Sequence, residues 1–254
     1  MPSSKLRLYS LPLLSALALA AGCGPGEAPP PAAVPNAPRV DAAKAGGITG
    51  RVLYEGPAPE NPVVTLDSDP ACVRAHPEGT TLDPVIVANG GLDNVFIYIK
   101  DGLGKYHFDT PAEPVVLDQK GCRYTPHVFG LRAGQTVRIG NSDQTLHTVH
   151  ANTTANQEFN LSYPQQGVTH TKVFTAPEVM IQFKCNVHNW MTAYAGVVNH
   201  PYFAVTTGGG GFELKHVPAG TYTLEAWHEK LGTTTQTVTI GEKKSRAVEF
   251  KFKA

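Results

Sequence analysis

The stretch Val179-Met180-Ile181-Gln182-Phe183-Lys184-Cys185-Asn186-Val187-His188-Asn189-Trp190-Met191, with Ala195-Gly196-Val197-Val198 behind it, decides the fold. Its first half is an apolar run of the kind that fits a pleated, half-buried strand. A thiol, an imidazole and a thioether then follow at i, i+3 and i+6, ahead of a second apolar run. A tight loop between two strands can turn all three toward one point. Upstream, Asn141-Ser142-Asp143-Gln144-Thr145-Leu146-His147-Thr148-Val149-His150 offers a second imidazole from a loop entering another strand. Two histidines and a cysteine in a plane, with a weak axial methionine, are the ligand set of blue-copper sites. Soft sulfur favours Cu(I) and imidazole serves both oxidation states, so one compromise geometry limits rearrangement when an electron moves. A zinc site would use a closed tetrahedral Cys/His set and has little use for methionine.

The Cys-x-x-His-x-x-Met loop is similar to that of the amicyanin branch of the plastocyanin-like cupredoxins. The upstream pattern resembles the family too: Tyr124-Thr125-Pro126-His127-Val128, then Leu131-Arg132-Ala133-Gly134-Gln135-Thr136-Val137, then Asn141-Ser142-Asp143 and His147. The resemblance spans about 85 residues, Pro114 to Asn199. It implies a type 1 copper held by His147, Cys185, His188 and Met191, and single-electron exchange with a redox partner protein. It also implies that His188 is the solvent-side ligand and that Trp190 either joins an apolar docking patch above it or packs under the loop. Thr148 stands where many cupredoxins have an asparagine that braces the cysteine loop, and its hydroxyl could hydrogen-bond in that place.

Outward from this core the texture is the same. Ile48–Tyr54, Val85–Val87, Val95–Ile99, Thr136–Ile139, Phe212–Leu214, Thr221–Trp227, Thr235–Ile240 and Ala247–Phe252 are short strand-like runs broken by turn residues. With 25 Gly, 21 Pro and only 17% charged residues, the chain reads as all-β. No segment keeps a helical period over three turns. The expected fold is a Greek-key cupredoxin β-sandwich plus a second, smaller β-sandwich. Phe203 to Tyr222 resembles the transthyretin-like carboxypeptidase regulatory domain, and Gly47–Tyr54 resembles that family's opening strand. The division expected is 47–111 as an N-terminal β segment, 112–199 as the cupredoxin domain and 200–254 as the regulatory-like domain. If the first and last belong together, the copper module is an insertion between their strands.

Ahead of residue 47 nothing asks to be buried. Lys5 and Arg7 precede an apolar run, Leu11 to Ala21, too short to span a bilayer comfortably. Leu19-Ala20-Ala21-Gly22-Cys23 resembles a bacterial lipoprotein processing box, which implies a signal peptide over 1–22 and a lipid on Cys23; ordinary cleavage near Ala21 is the alternative. Residues 23–46 are a Pro/Ala-rich tether. Either way the protein is expected to be exported, as a periplasmic or outer-membrane-anchored lipoprotein whose only membrane contact is that lipid. The 21 basic and 21 acidic residues balance, with no Lys/Arg cluster, so nucleic acid is not an expected partner.

The other candidate ligands divide differently. Strand alternation puts His147 and Val149 on one face and Thr148 and His150 on the other, which makes His150 a surface residue. His170, His200, His216 and His228 lack companions and read as surface or strand positions. Cys72 and Cys122 would pair in an oxidising compartment. The competing reading is a second metal site from Cys72, His76, Cys122 and His127. The chain contains no Gly-x-Ser-x-Gly elbow, Walker loop or His-Glu-x-x-His, and no enzyme activity is expected. Besides electron transfer, the sequence leaves open a copper carrier or chaperone and a non-redox binding or adhesion module.

Overall fold

The computed structural model describes residues 37–253, apart from 65, 67, 68, 83 and 105. The expected signal segment 1–22, the expected lipid anchor at Cys23 and most of the expected tether lie outside the described residues. The chain is nearly all-β, with 20 strands and one short helix, Pro70–Ala75, among the described residues. The strands form two sandwiches side by side.

The first sandwich has a four-stranded sheet, in the order Thr169–Val173, Thr136–Asn141, Val115–Gln119, Tyr124–Thr125. Facing it is a five-stranded sheet, in the order Phe159–Tyr163, His147–Asn152, Glu178–Lys184, Thr192–Val198, Val128–Arg132. Alternation sends every second residue inward. Val137, Ile139, Val149, Ala151, Ile181, Phe183, Ala193 and Ala195 meet in one core, and Cys185 and Met191 sit within it.

The second sandwich takes strands from both ends of the chain. Gly46–Glu55 lies between Gly211–Val217, antiparallel, and Ser245–Lys253, parallel. Phe96–Asp101 lies between Phe203–Val205 and Gly220–His228, with Gly232–Ile240 beyond. Strands from 47–111 and 200–254 therefore share both sheets and one core, built from Ile48, Val52, Leu92, Ile97, Ile99, Leu224, Ala226 and their neighbours, whereas Leu66 and Cys72 belong to the core of the first sandwich.

The two sandwiches interlock through glycines. Gly196 and Gly130 are opposite each other on paired strands. A Cβ at Gly196 would lie 2.3 Å from the Phe96 ring, and one at Gly130 would lie 2.4 Å from Phe203. Side chains are absent there so that the rings of the second sandwich can press against the backbone of the first. His127 Nε2 and Glu229 Oε1, 2.5 Å apart, add a polar tie across the same junction.

His228, read from the sequence as a surface or strand position, is the last residue of the strand Gly220–His228 and is only 1% exposed. Its Nδ1 accepts from the Lys230 backbone N–H at 3.2 Å, so the proton sits on Nε2, which is buried without a partner among the described residues. Burial pushes its pKa down from 6.5 to about 4. The unfolded chain therefore takes up a proton before the folded chain does. This group's contribution is complete above pH 6.5 and is lost as pH falls toward 4, by at most about 1.4 kcal/mol per pH unit. Denaturant midpoints measured at pH 7 and pH 5 should drop more for the parent protein than for His228→Asn, which keeps the acceptor and cannot be protonated.

Candidate metal centre

Two loops at one end of the first sandwich bring the sequence-marked residues together. The first precedes the strand His147–Asn152 and is shaped by the buried Asn141. Its Nδ2 donates to the carbonyls of Thr145 (2.9 Å) and Tyr163 (3.1 Å), and its Oδ1 accepts from Asp143 N (2.9 Å). The strand then alternates inward and outward from its first residue, which puts His147 inside at 0% exposure. The second loop runs from Cys185 to Met191 and closes on itself: Met191 N donates to His188 O (2.9 Å), and Cys185 N donates to Met191 O (3.2 Å). That closure lets residues at i, i+3 and i+6 point inward together. Cys185, His188 and Met191 are 3%, 3% and 1% exposed.

His147 Nδ1 lies 2.9 Å from His188 Nδ1, and Cys185 Sγ lies 3.8 Å from His188 Nδ1. The ligand atoms of these three residues all fall within 4.8 Å of one another. Each imidazole turns its other nitrogen to a carboxylate: His147 Nε2 to Asp143 Oδ2 at 3.0 Å, and His188 Nε2 to Asp69 Oδ2 at 3.3 Å. A carboxylate accepts only, so each Nε2 carries a proton and each Nδ1 is the ring nitrogen turned toward the other donors. Without metal the 2.9 Å contact is a hydrogen bond in which the protonated His147 Nδ1 donates to His188 Nδ1; a bound cation takes the place of that proton.

The third donor is a sulfur held as thiolate. Burial alone would raise the Cys185 thiol, but the two imidazoles beside it, His147 first and then His188, bring it down to about 5. Thr148 adds its backbone N–H, 3.4 Å from the sulfur, and its hydroxyl at 3.7 Å. The same hydroxyl accepts from Asn186 N at 2.7 Å, so Thr148 braces the cysteine loop. Burial would lower His147, but its bond to Asp143 and the Cys185 charge raise it to about 9. The donor set of one soft sulfur and two imidazoles, with the Met191 thioether in the same core, fits a copper ion.

The surroundings were not legible in advance. The described residues of 63–81 form a cap that reaches the site through Asp69 and Cys72, and its helix Pro70–Ala75 starts at Asp69, whose Oδ1 accepts from Ala71 N at 2.7 Å. Cys72 is bonded to Cys122. His76 Nε2 reaches Gly121 O at 2.7 Å, and Arg123 binds Thr80 and the carbonyl of Thr81. Asp143, besides holding His147, accepts from Gly121 N (2.7 Å) and Cys122 N (2.8 Å). Cys72, His76, Cys122 and His127 do not gather around a point of their own, since His127 pairs with Glu229.

This cap corrects one expectation. His188 is not at the solvent edge: Asp69 and Cys72 Sγ, 3.8 Å away, cover its Nε2 side. Trp190 packs beside it, with ring centroids 5.0 Å apart, and donates Nε1–H to Cys122 O at 3.0 Å. Trp190 and Met191 also line a cavity of about 390 Å³ together with Tyr194, His127, Glu229 and Pro84. His150 points away from the metal centre to Glu158, 2.5 Å distant. Asp69 and Asp143 are the functional residues that the sequence reading missed. Asp69-Pro70 carries a local helix-start signal, but nothing local says that the helix lies against residue 188.

The family model for polysaccharide lyase family 4, domain II, matches residues 173–248, a span that begins in the first sandwich and ends in the second. No curated protein matches the chain. Among solved structures, the chain is similar to a copper-containing nitrite reductase from Thermus scotoductus SA-01, at 21% identity over 37% of this chain and 24% of that one, with a TM-score of 0.32. It thus spans about a quarter of the reductase's length. It is also similar to a mutant of amicyanin in its Cu(I) form, at 21% identity over 35% of this chain and 86% of that one, with a TM-score of 0.30. A purple cupredoxin from Nitrosopumilus maritimus is similar at 18% identity over 33% of this chain and 98% of that one, with a TM-score of 0.29.

Proposed function

We propose that this protein binds one copper ion through His147, Cys185, His188 and Met191 and exchanges single electrons with a redox partner in an exported compartment. The observation that carries the reading is the convergence of two imidazole Nδ1 atoms and one thiolate in a buried pocket. A mixed soft and borderline donor set serves both copper valences. With four protein donors no coordination position is left for a substrate, which favours electron transfer over catalysis. Export fits the Cys72–Cys122 bond, since disulfides persist in oxidising compartments. In this reading Cys23 carries a lipid that tethers the domains to a membrane, and Trp190, between His188 and the cavity, is where the ligand shell meets the outside.

The test is the absorption and paramagnetic-resonance spectrum of protein loaded with Cu(II). An intense visible thiolate-to-copper band with a narrow copper hyperfine splitting, and a reversible one-electron wave, is the expected result. A spectrum without the thiolate band overturns the assignment. Rapid loss of copper to a chelator during redox cycling would replace the electron carrier with a copper carrier.

A further inference from the structure

The proposed copper ligands belong to the first sandwich, yet the carboxylate behind His188 comes from the cap, 119 residues earlier in the chain. Asp69 divides its two oxygens. Oδ1 caps the helix Pro70–Ala75 by accepting from Ala71 N (2.7 Å). Oδ2 accepts from the Thr145 hydroxyl (2.5 Å) and from His188 Nε2 (3.3 Å). Cys72, three residues on, is fixed to Cys122, whose own backbone N–H binds Asp143, the carboxylate behind His147. The two imidazoles are thus backed by two carboxylates, and the disulfide ties the segment carrying one to the segment that binds the other. Outer carboxylates of this kind fix the tautomer and ring orientation of a metal-binding histidine.

We infer that Asp69 is a positioning residue for the metal centre: by accepting from Nε2 it holds His188 with Nδ1 bare and turned toward Cys185, so that the cap completes a site which the first sandwich alone leaves unbraced. The inference rests on the copper reading for its purpose, but the tautomer it assigns exists without metal.

Asp69→Asn is the discriminating variant. Asparagine keeps the helix cap through its carbonyl oxygen and places an N–H₂ donor where Oδ2 stood. That donor faces Nε2 and favours the tautomer with the proton on Nδ1, which cannot bind metal. Two readouts separate the claims. In the metal-free protein, nitrogen-15 spectra of the imidazoles should show His188 protonated at Nε2 in the parent and displaced toward Nδ1 in Asp69→Asn. With Cu(II), competition against a chelator should show affinity lower by about 10–100-fold. Asp69→Glu, which restores the acceptor, should recover part of both. Thr145→Val, which removes the other partner of Oδ2, should leave the tautomer unchanged. An Asp69→Asn protein with the parental His188 tautomer and copper affinity within twofold overturns the proposal. A parental protein that shows the expected tautomer but binds no copper overturns the functional reading and leaves the positioning role intact.

Discussion

Cys185→Ser is expected to abolish the visible charge-transfer band of the copper-loaded protein while leaving the fold in place. The band arises from a thiolate bound to Cu(II), and Cys185 is the only free cysteine among the described residues. Serine is nearly isosteric, and its buried oxygen would still meet the Thr148 backbone N–H that now lies 3.4 Å from the sulfur. It therefore leaves neither a cavity nor an unpaired polar group, so the near-ultraviolet dichroism and the melting temperature should stay close to those of the parent. The metal loses more. A serine hydroxyl does not ionise near neutral pH, whereas the Cys185 thiol titrates at about 5 and is anionic at pH 7. Removing that charge and the soft donor should weaken copper binding beyond the roughly 10–100-fold typical of a lost backing residue. Titration with Cu(II), followed by absorption and calorimetry, checks both points. A variant that keeps an intense visible band would show that the thiolate is not a ligand.

How much of this was readable in advance depends on how far apart the cooperating residues lie. The Cys185–Met191 loop closes through its own backbone, and the alternation of His147–Asn152 is strictly local, so spacing alone located three donors that the fold brings together. Thr148 was readable for the same reason, as the neighbour of a ligand. His228 was placed on a strand or the surface but its depth was left open, because its burial depends on packing between Gly220–His228 and the rest of the second core, and a strand's pattern does not reveal how deep its last residue sits. The cap was illegible. Its contacts join Asp69 to His188 and His76 to Gly121, and no periodicity records pairings across such distances. The apolar and charged character of Val63 to Thr81 would suit an ordinary surface loop. Pairing Cys72 with Cys122 tied that segment to the first sandwich, but did not say that the bond would rest against a metal ligand.

That bond carries the second large expected effect. The Cys72→Ala/Cys122→Ala double variant removes a cross-link spanning 50 residues, which in the chain-entropy picture stabilises by about 4 kcal/mol. For a protein of this size that corresponds to a melting temperature lower by roughly 8–16 °C. The loss should be concentrated in the cap. Without the disulfide, the six-residue helix is too short to persist alone, and the cap is left with the bonds of Asp69, His76 and Arg123 to the first sandwich and the burial of Leu66 in its core. His188, now 3% exposed, should gain solvent contact on its Nε2 side. Cys185 should then become reactive toward a bulky aromatic disulfide reagent in the metal-free protein, and copper should leave faster to a chelator in the loaded one. Mild reduction of the parent protein should reproduce both changes, because it breaks the same bond without altering the sequence. If the double variant melts within about 2 °C of the parent and Cys185 stays protected, the polar contacts hold the cap by themselves and the disulfide is dispensable to the metal centre.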